Sequence, residues 1–188
     1  PLVVTGEGEL RAPQPSLFLG NAGTAPRFLP APLALGHGRC VVDGAEHMRK
    51  RPIKPLVDAL NSLGVSIESP TGCPPVTIDA NGAFASNKVV IDAGLSSQYV
   101  SALLMMAACS RTPVRISLSG PHIGAHGYIG LTIAAMRAFG ASVTSGDDAS
   151  WTVAPGGYTA TDLRIEPDAS AATYRQAEHT SEPQSRGP

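Results

Sequence analysis

The feature that most constrains this chain is an internal repeat of about 75 residues. Asn21-Ala22-Gly23 and Ser96-Ser97-Gln98 each precede an apolar stretch and stand 75 residues apart. Arg51-Pro52-Ile53 and Tyr128-Ile129-Gly130 differ by 77, and Gly64 and Gly140 by 76. Segments rich in Val and Ile keep the same spacing: Cys40–Asp43 and Val114–Leu118 begin 74 apart, Val76 and Trp151 lie 75 apart, and Val89 and Leu163 lie 74 apart. An offset of this size marks a duplicated unit that is too long for a solenoid and suits a pseudosymmetric globular domain. Each unit reads helix, strand, helix, strand, strand, strand. A third copy starts at Asp168-Ala169-Ser170 and then stops, because Arg175–Pro188 is polar, contains proline and has no hydrophobic period. The chain is expected to be cut at both ends, with 175–188 a disordered or non-native tail.

Local periodicity supplies the elements. Ile53, Leu56, Val57, Leu60 and Leu63 recur at helical spacing and predict a helix over Pro52–Leu63, opened by proline and closed by Gly64. Ser96–Cys109 is apolar nearly all round, which in a chain without longer apolar runs means a helix buried on most sides. A third helix is expected over Tyr128–Phe139, ending at Gly140. Short strands are expected at Leu2–Thr5, Cys40–Asp43, Val65–Glu68, Val76–Asp79, Val89–Asp92, Val114–Leu118, Ala141–Thr144, Trp151–Val153 and Leu163–Glu166, each bounded by Gly, Pro, Asn or Asp.

Composition removes several function classes. Fourteen Lys and Arg against fifteen Asp and Glu leave a formal charge of −1, so no basic footprint for nucleic acid is present. Cys40, Cys73 and Cys109 lie more than thirty residues apart with no CxxC or Cys/His pairing, which argues against a disulfide framework or zinc site and for a reducing, cytoplasmic setting. The longest apolar stretch, Val100 to Cys109, is about half the ~20 residues that span a bilayer, so no membrane partner is expected. His122 and His126 have i, i+4 spacing but sit among glycines without a third ligand, and no metal or cofactor is implied. No Ser/His/Asp triad, Walker A loop or dinucleotide fingerprint is present.

Any anion must therefore be held by a few placed groups. Repeat-related positions point the same way in space, so the helix starts after Gly23 and Ser96 should share a face. A free helix N-terminus offers unpaired N–H groups and about half a positive charge, which suits phosphate or carboxylate. Gly23 lets backbone approach closely, and Ser96, Ser97 and Gln98 add two hydroxyls and an amide. Read singly, Asn21, Thr24 and Ser96 are also ordinary N-caps. Arg51 can grip an oxyanion bidentately, or the Arg49-Lys50-Arg51 run can be a solvated face. Tyr128 can contact a ring ligand or simply anchor its helix.

The motifs Leu19-Gly20-Asn21-Ala22-Gly23-Thr24-Ala25, Met48 to Arg51 with Pro52-Ile53, Ser96-Ser97-Gln98-Tyr99 with Ser101-Ala102-Leu103-Leu104-Met105, and Glu166-Pro167-Asp168-Ala169-Ser170 with Tyr174 closely resemble the 5-enolpyruvylshikimate-3-phosphate (EPSP) synthase family. They run in order over about 155 residues. The related UDP-N-acetylglucosamine enolpyruvyl transferases lack the Ser-Ser-Gln stretch and match less well. The resemblance implies an α/β fold, an inside-out α/β barrel of repeated βαβαββ units of the enolpyruvyl transferase type. Residues 1–174 would then form part of one such domain, about two and a third repeats against three in a full domain. It also implies a reaction of the shikimate pathway of aromatic amino acid biosynthesis. The 5-hydroxyl of shikimate 3-phosphate adds to C2 of phosphoenolpyruvate while C3 is protonated, and phosphate then leaves.

By the same resemblance, Ser96, Ser97, Gln98 and Tyr128 are shikimate 3-phosphate ligands, and Asn21, Gly23, Arg51 and Gln98 meet phosphoenolpyruvate. Glyphosate would compete at the phosphoenolpyruvate pocket. The lysine- and serine-bearing opening segment and the whole second domain of the family, with its acid and base groups, are expected to be missing, so no catalytic residue is assigned here. The missing domain is thus an implied partner. A non-catalytic anion-binding or assembly half that docks with a partner domain is the alternative. Ala125 replaces a usual serine and His47 a usual arginine. Pro26, Pro30 and Pro32 fall where the family runs a buried helix, so that helix is expected to be kinked, shortened or replaced.

Overall fold

The protein is represented by a computed structural model that describes residues 3, 5, 16–92, 94, 96–120 and 126–165. The first repeat runs β1 (Ser16–Phe18), two single-turn helices α1 (Ala25–Phe28) and α2 (Pro30–Leu33), β2 (His37–Asp43), a 3-10 turn (Met48–Lys50), α3 (Lys54–Ser62), β3 (Ser66–Glu68) and β4 (Val76–Asn81). The second runs β5 (Lys88–Asp92), α4 (Ser97–Ala108), β6 (Val114–Ser119), α5 (His126–Ala138), β7 (Val143–Ser145) and β8 (Ser150–Val153).

The duplication is visible in the pairing. The first sheet has the order β1-β2-β4-β3 and the second β5-β6-β8-β7. In each, the first pair is parallel and the other two are antiparallel. Parallel partners need a crossover, which α1 and α2 provide in one repeat and α4 in the other. The unit therefore starts on a strand. The Val89 segment, which the period alone assigns to the end of the first unit, is β5, and it pairs with β6 because the α4 crossover returns the chain beside it.

Alternation explains which faces are covered. Val76, Ile78 and Ala80 of β4 and Val89 and Ile91 of β5 point into the core, while Val90 between the latter two is 63% exposed. The core lies between the sheets and around α4, where Tyr99, Val100, Leu103, Leu104, Met106, Ala107 and Ala108 are buried. Full burial of each leucine is worth about 1.5–3 kcal/mol. Amphipathic α3 buries Leu56, Val57, Ala59 and Leu60 and packs against β5. Both α3 and α5 stop at a glycine with positive φ, Gly64 at +92° and Gly140 at +84°, a conformation that other residues resist. After β8 the chain crosses the end of α4. Gly157 N–H donates to the Ala108 carbonyl at 2.7 Å, and the Tyr158 hydroxyl donates to the Met105 carbonyl at 2.9 Å. Burial pushes the Tyr158 phenol up to about 12, with the neighbouring Cys109 adding to the rise.

Two further differences from the sequence reading are physical. β1 is too short and too weakly patterned to read locally, and its pairing with β2 is what makes it a strand. Residues 163–165 of the expected Leu163–Glu166 strand are not in a strand, and Leu163 and Ile165 are 49% and 84% exposed. No strand among the described residues lies beside them as β6 lies beside β5. The proline-bearing helix is broken as expected, into two turns joined at Leu29, which keeps helical angles of −63° and −34°. Leu29 N–H donates to Ala25 and Leu33 N–H to Leu29, but Pro30 and Pro32 have no N–H to give. Residues 2 and 4, Ala125, His122, the motif from Glu166 to Tyr174 and the tail 175–188 lie outside the described residues.

Candidate functional site

Two loops of the first repeat are laced together before any side chain of the site is placed. Leu19 N–H donates to the Asp43 carbonyl at 2.8 Å and Ala45 N–H to the Gly20 carbonyl at 2.9 Å. Gly44 fits because a Cβ there would sit 2.8 Å from Met48 Cβ and 2.9 Å from the Gly20 carbonyl oxygen. Arg49 then clamps Asp43 from both ends of the guanidinium, Nε to Oδ1 at 3.0 Å and Nη2 to Oδ2 at 2.6 Å. These hydrogen bonds hold the Asp43 carboxyl below the usual carboxylate range, and Gly44 N–H adds a further one.

This lacing divides the basic run. Arg49 pairs with Asp43, and Lys50 pairs with Glu46 at 2.8 Å. Arg51 instead lies on Gly23: a Cβ at position 23 would stand 2.7 Å from Arg51 Nη1 and 3.3 Å from Cζ. Gly23 thus admits the close approach of the Arg51 guanidinium and is not called for by an unusual backbone angle. Among the described residues Arg51 is in no ion pair, so its charge is available to a ligand.

The second repeat contributes the start of α4. Ser96 is its N-cap and Ser96 Oγ accepts from Gln98 N–H at 3.3 Å, satisfying one orphan donor of the first turn. Ser97, the first helical residue, is only 8% exposed, whereas Ser96 and Gln98 are half-buried. Thr24, the corresponding N-cap of α1, makes no side-chain cap hydrogen bond, so the capping role open to it in the sequence is not taken up. Asn21 is exposed in the turn that leads to Gly23.

One residue that sequence reasoning missed joins the two repeats. Arg27, in the first turn after Gly23, donates from Nη1 to Gln98 Oε1 at 2.9 Å, across 71 positions of chain. Its Cζ stands 5.8 Å from the centre of the Tyr99 ring, within the range of a cation–π contact. The Tyr99 hydroxyl donates to the Pro52 carbonyl at 2.6 Å. Burial pushes that phenol up in pKa, partly offset by the charge of Arg27. The contacts close a ring from Gly23 to Arg51 and Pro52, through Tyr99 to Gln98, and back through Arg27. Arg27 Nε is buried and has no hydrogen-bond partner among the described residues, a loss of about 1–3 kcal/mol for such a donor. The signal in the sequence was a lone arginine one helical turn beyond Gly23, between two prolines. Nothing local marked its partner.

The structure therefore gathers Gly23, Arg51, Ser96 and Gln98 and adds Arg27. Tyr128 takes part in none of the contacts that form that ring. It is 68% exposed, so it is no half-buried anchor, and its carbonyl accepts from Thr132 Oγ1, which shares a 2.8 Å hydrogen bond with Ser101 of α4. Two clefts, of about 400 and 310 Å³, flank α3 and share Lys54 and Asp58, which are ion-paired at 2.7 Å. Neither reaches Gly23, Arg51 or Gln98. No three His, Cys, Asp or Glu side chains converge on a metal position among the described residues, and no described helix is long and apolar enough to cross a membrane. What the ring can do chemically is hold an anion, with the Arg51 guanidinium, the Gln98 amide and the remaining free N–H groups of the α4 first turn.

Residues 2–178 match the family model described as EPSP synthase (3-phosphoshikimate 1-carboxyvinyltransferase). The chain is 60% identical over 172 residues to the 3-phosphoshikimate 1-carboxyvinyltransferase of Pseudomonas syringae pv. syringae, and 61% identical to that of Rhizobium etli. Each match covers 92% of this chain and 41% of the relative, so the chain spans about two fifths of the length of these proteins. In three dimensions it is similar to the EPSP synthase of Acinetobacter baumannii, with a TM-score of 0.71 at 24% identity over 87% of this chain and 36% of that one. That likeness concerns the fold.

Proposed function

The chain belongs to the EPSP synthase family, and from that premise we propose that the ring around Gly23, Arg51 and Gln98 is part of a binding site for shikimate 3-phosphate and phosphoenolpyruvate. The observation that carries this is the approach of Arg51 to Gly23 together with the Arg27–Gln98 bond, because they bring the Arg51 cation and the N-terminus of α4 together. Ser96, Ser97, Gln98 and Tyr128 bind shikimate 3-phosphate in this reading, and Asn21, Gly23, Arg51 and Gln98 bind phosphoenolpyruvate, with glyphosate as a competitor there. Ser97, being buried, contributes chiefly through its backbone N–H.

The activity is that of a 3-phosphoshikimate 1-carboxyvinyltransferase, which transfers the enolpyruvyl group of phosphoenolpyruvate to shikimate 3-phosphate. Charge stabilisation at two phosphates and a carboxylate dominates such a reaction. General acid and base groups must stand within hydrogen-bond reach of the reacting atoms, and no residue of this chain is assigned to those roles. Residues 1–174 act as part of one domain of the transferase, completed by a second. The three free cysteines fit a reducing cytoplasm.

The test is a titration of the isotopically labelled chain with shikimate 3-phosphate. Amide signals near Ser97 and Arg51 are expected to move together, and silence at both overturns the reading. Phosphate release by this chain alone, dependent on both substrates, overturns the assignment of catalysis to groups outside it.

A further inference from the structure

We propose that Arg27 is a positioning residue that fixes the polarity of the Gln98 carboxamide, so that Gln98 shows only N–H donors to an anionic ligand. The inference rests on the binding site proposed above. An arginine side chain has five donors and no acceptor, so the group facing Arg27 Nη1 at 2.9 Å must be the amide oxygen and not the NH2 group. The second contact agrees. Ser96 Oγ lies 3.4 Å from the same oxygen while accepting from Gln98 N–H, which leaves the hydroxyl proton free to donate to Oε1. Both lone pairs of Oε1 are thereby engaged. Gln98 Nε2 has no hydrogen-bond partner among the described residues, and it is the end left for a ligand.

Arg27 is itself held in place. Tyr99 lies under its guanidinium and is tied by its hydroxyl to the Pro52 carbonyl, beside Arg51. The donor end of Gln98 and the cation of Arg51 are therefore set relative to one another through one chain of contacts. A reversed amide would turn its NH2 group on the Arg27 donors and its oxygen on the ligand, and both contacts would be repulsive. Arg27 thus acts on the ligand through Gln98, by excluding the wrong amide orientation before binding.

The test compares Arg27→Met, Arg27→Lys and Gln98→Glu in this same chain, using shikimate 3-phosphate as probe and the Gln98 side-chain NH2 signals as an independent readout. In the ligand-free wild type those signals should be those of a restricted amide. Arg27→Met should release them towards the values of a free glutamine and weaken shikimate 3-phosphate about tenfold to a hundredfold, the loss of one charge-assisted hydrogen bond. Arg27→Lys, another donor-only cation, should restore most of both. Gln98→Glu keeps a partner for Arg27, and so the fold, but presents an acceptor, and it should abolish binding even if Arg27→Met fails to fold. Unchanged NH2 signals in Arg27→Met, full affinity in that variant, or retained binding in Gln98→Glu each overturn the proposal. A wild type that holds the amide rigid yet binds no shikimate 3-phosphate instead removes the binding site beneath it, and the two failures are thereby told apart.

Discussion

The two repeats share a sheet order and a pairing pattern but differ in their first helix, and the difference shows in how much core each helix buries. In the second repeat that helix is α4, twelve residues long, capped by Ser96 and buried on nearly every side. In the first it is α1 and α2, four residues each, interrupted by proline and without a side-chain cap. The intact helix carries core burial. The broken one carries Arg27 and is preceded by Gly23, and their contacts are with Gln98 and Arg51. One topology thus supports a regular, buried helix in one repeat and an interrupted one in the other, and the ring of contacts forms where they meet.

The division can be broken most sharply in the core. Leu104→Ala in α4 should cost about 2–5 kcal/mol in denaturant unfolding, as large-to-small changes at fully buried sites do. Leu33→Ala in α2, at a half-buried position, should cost less than half as much; equal losses would show that the broken helix bears as much of the core. Next in size is Pro32→Ala, which restores an N–H able to reach the Phe28 carbonyl. An interior proline costs about 3 kcal/mol and its stiffening of the unfolded chain returns about 0.4–1 kcal/mol, so a net gain of about 2–2.6 kcal/mol with added helical circular dichroism is expected. No gain would mean that the two turns are already as stable as a continuous helix.

The caps provide a finer contrast. Ser96→Ala should cost about 1 kcal/mol, because it orphans Gln98 N–H, while Thr24→Ala should leave the melting temperature unchanged. A matching loss at Thr24 would erase the distinction between the helix starts. The smallest effect belongs to the strand ends. Asp43 closes β2, and Ser119 occupies the equivalent place in β6. Because Arg49 lowers the Asp43 pKa in the folded state, that carboxylate adds stability above the unfolded value of about 3.9, and the contribution fades as pH falls through the lower folded value. Asp43→Asn should therefore be destabilising at neutral pH, with the gap to wild type closing in acid. The same experiment on Ser119→Asn should show no such pH dependence.

Much of the fold was legible because its signals are local. The Ile53, Leu56, Val57, Leu60 series, the apolar run from Val100 and the paired stops at Gly64 and Gly140 each identify an element from a few neighbouring residues. The strand at Ser16–Phe18 was not legible, since three residues carry no usable alternation and only β2 makes them a strand. At the site, Gly23, Arg51 and Gln98 stood out through motif and repeat position. The choice between a solvated charge run and a ligand-facing arginine was not legible in Arg49-Lys50-Arg51, because it depended on Asp43 and Glu46 taking two of the three charges.

By itself, the sequence determined the duplicated unit, the kind of most elements and the places where helices stop, because periodicity and turn chemistry act over a handful of residues. Only the tertiary structure decided that Arg27 meets Gln98, 71 positions away, and that Arg51 rests on Gly23. Those contacts follow from how two sheets and a buried helix pack. Packing depends on every layer at once, so no short stretch of the chain records it.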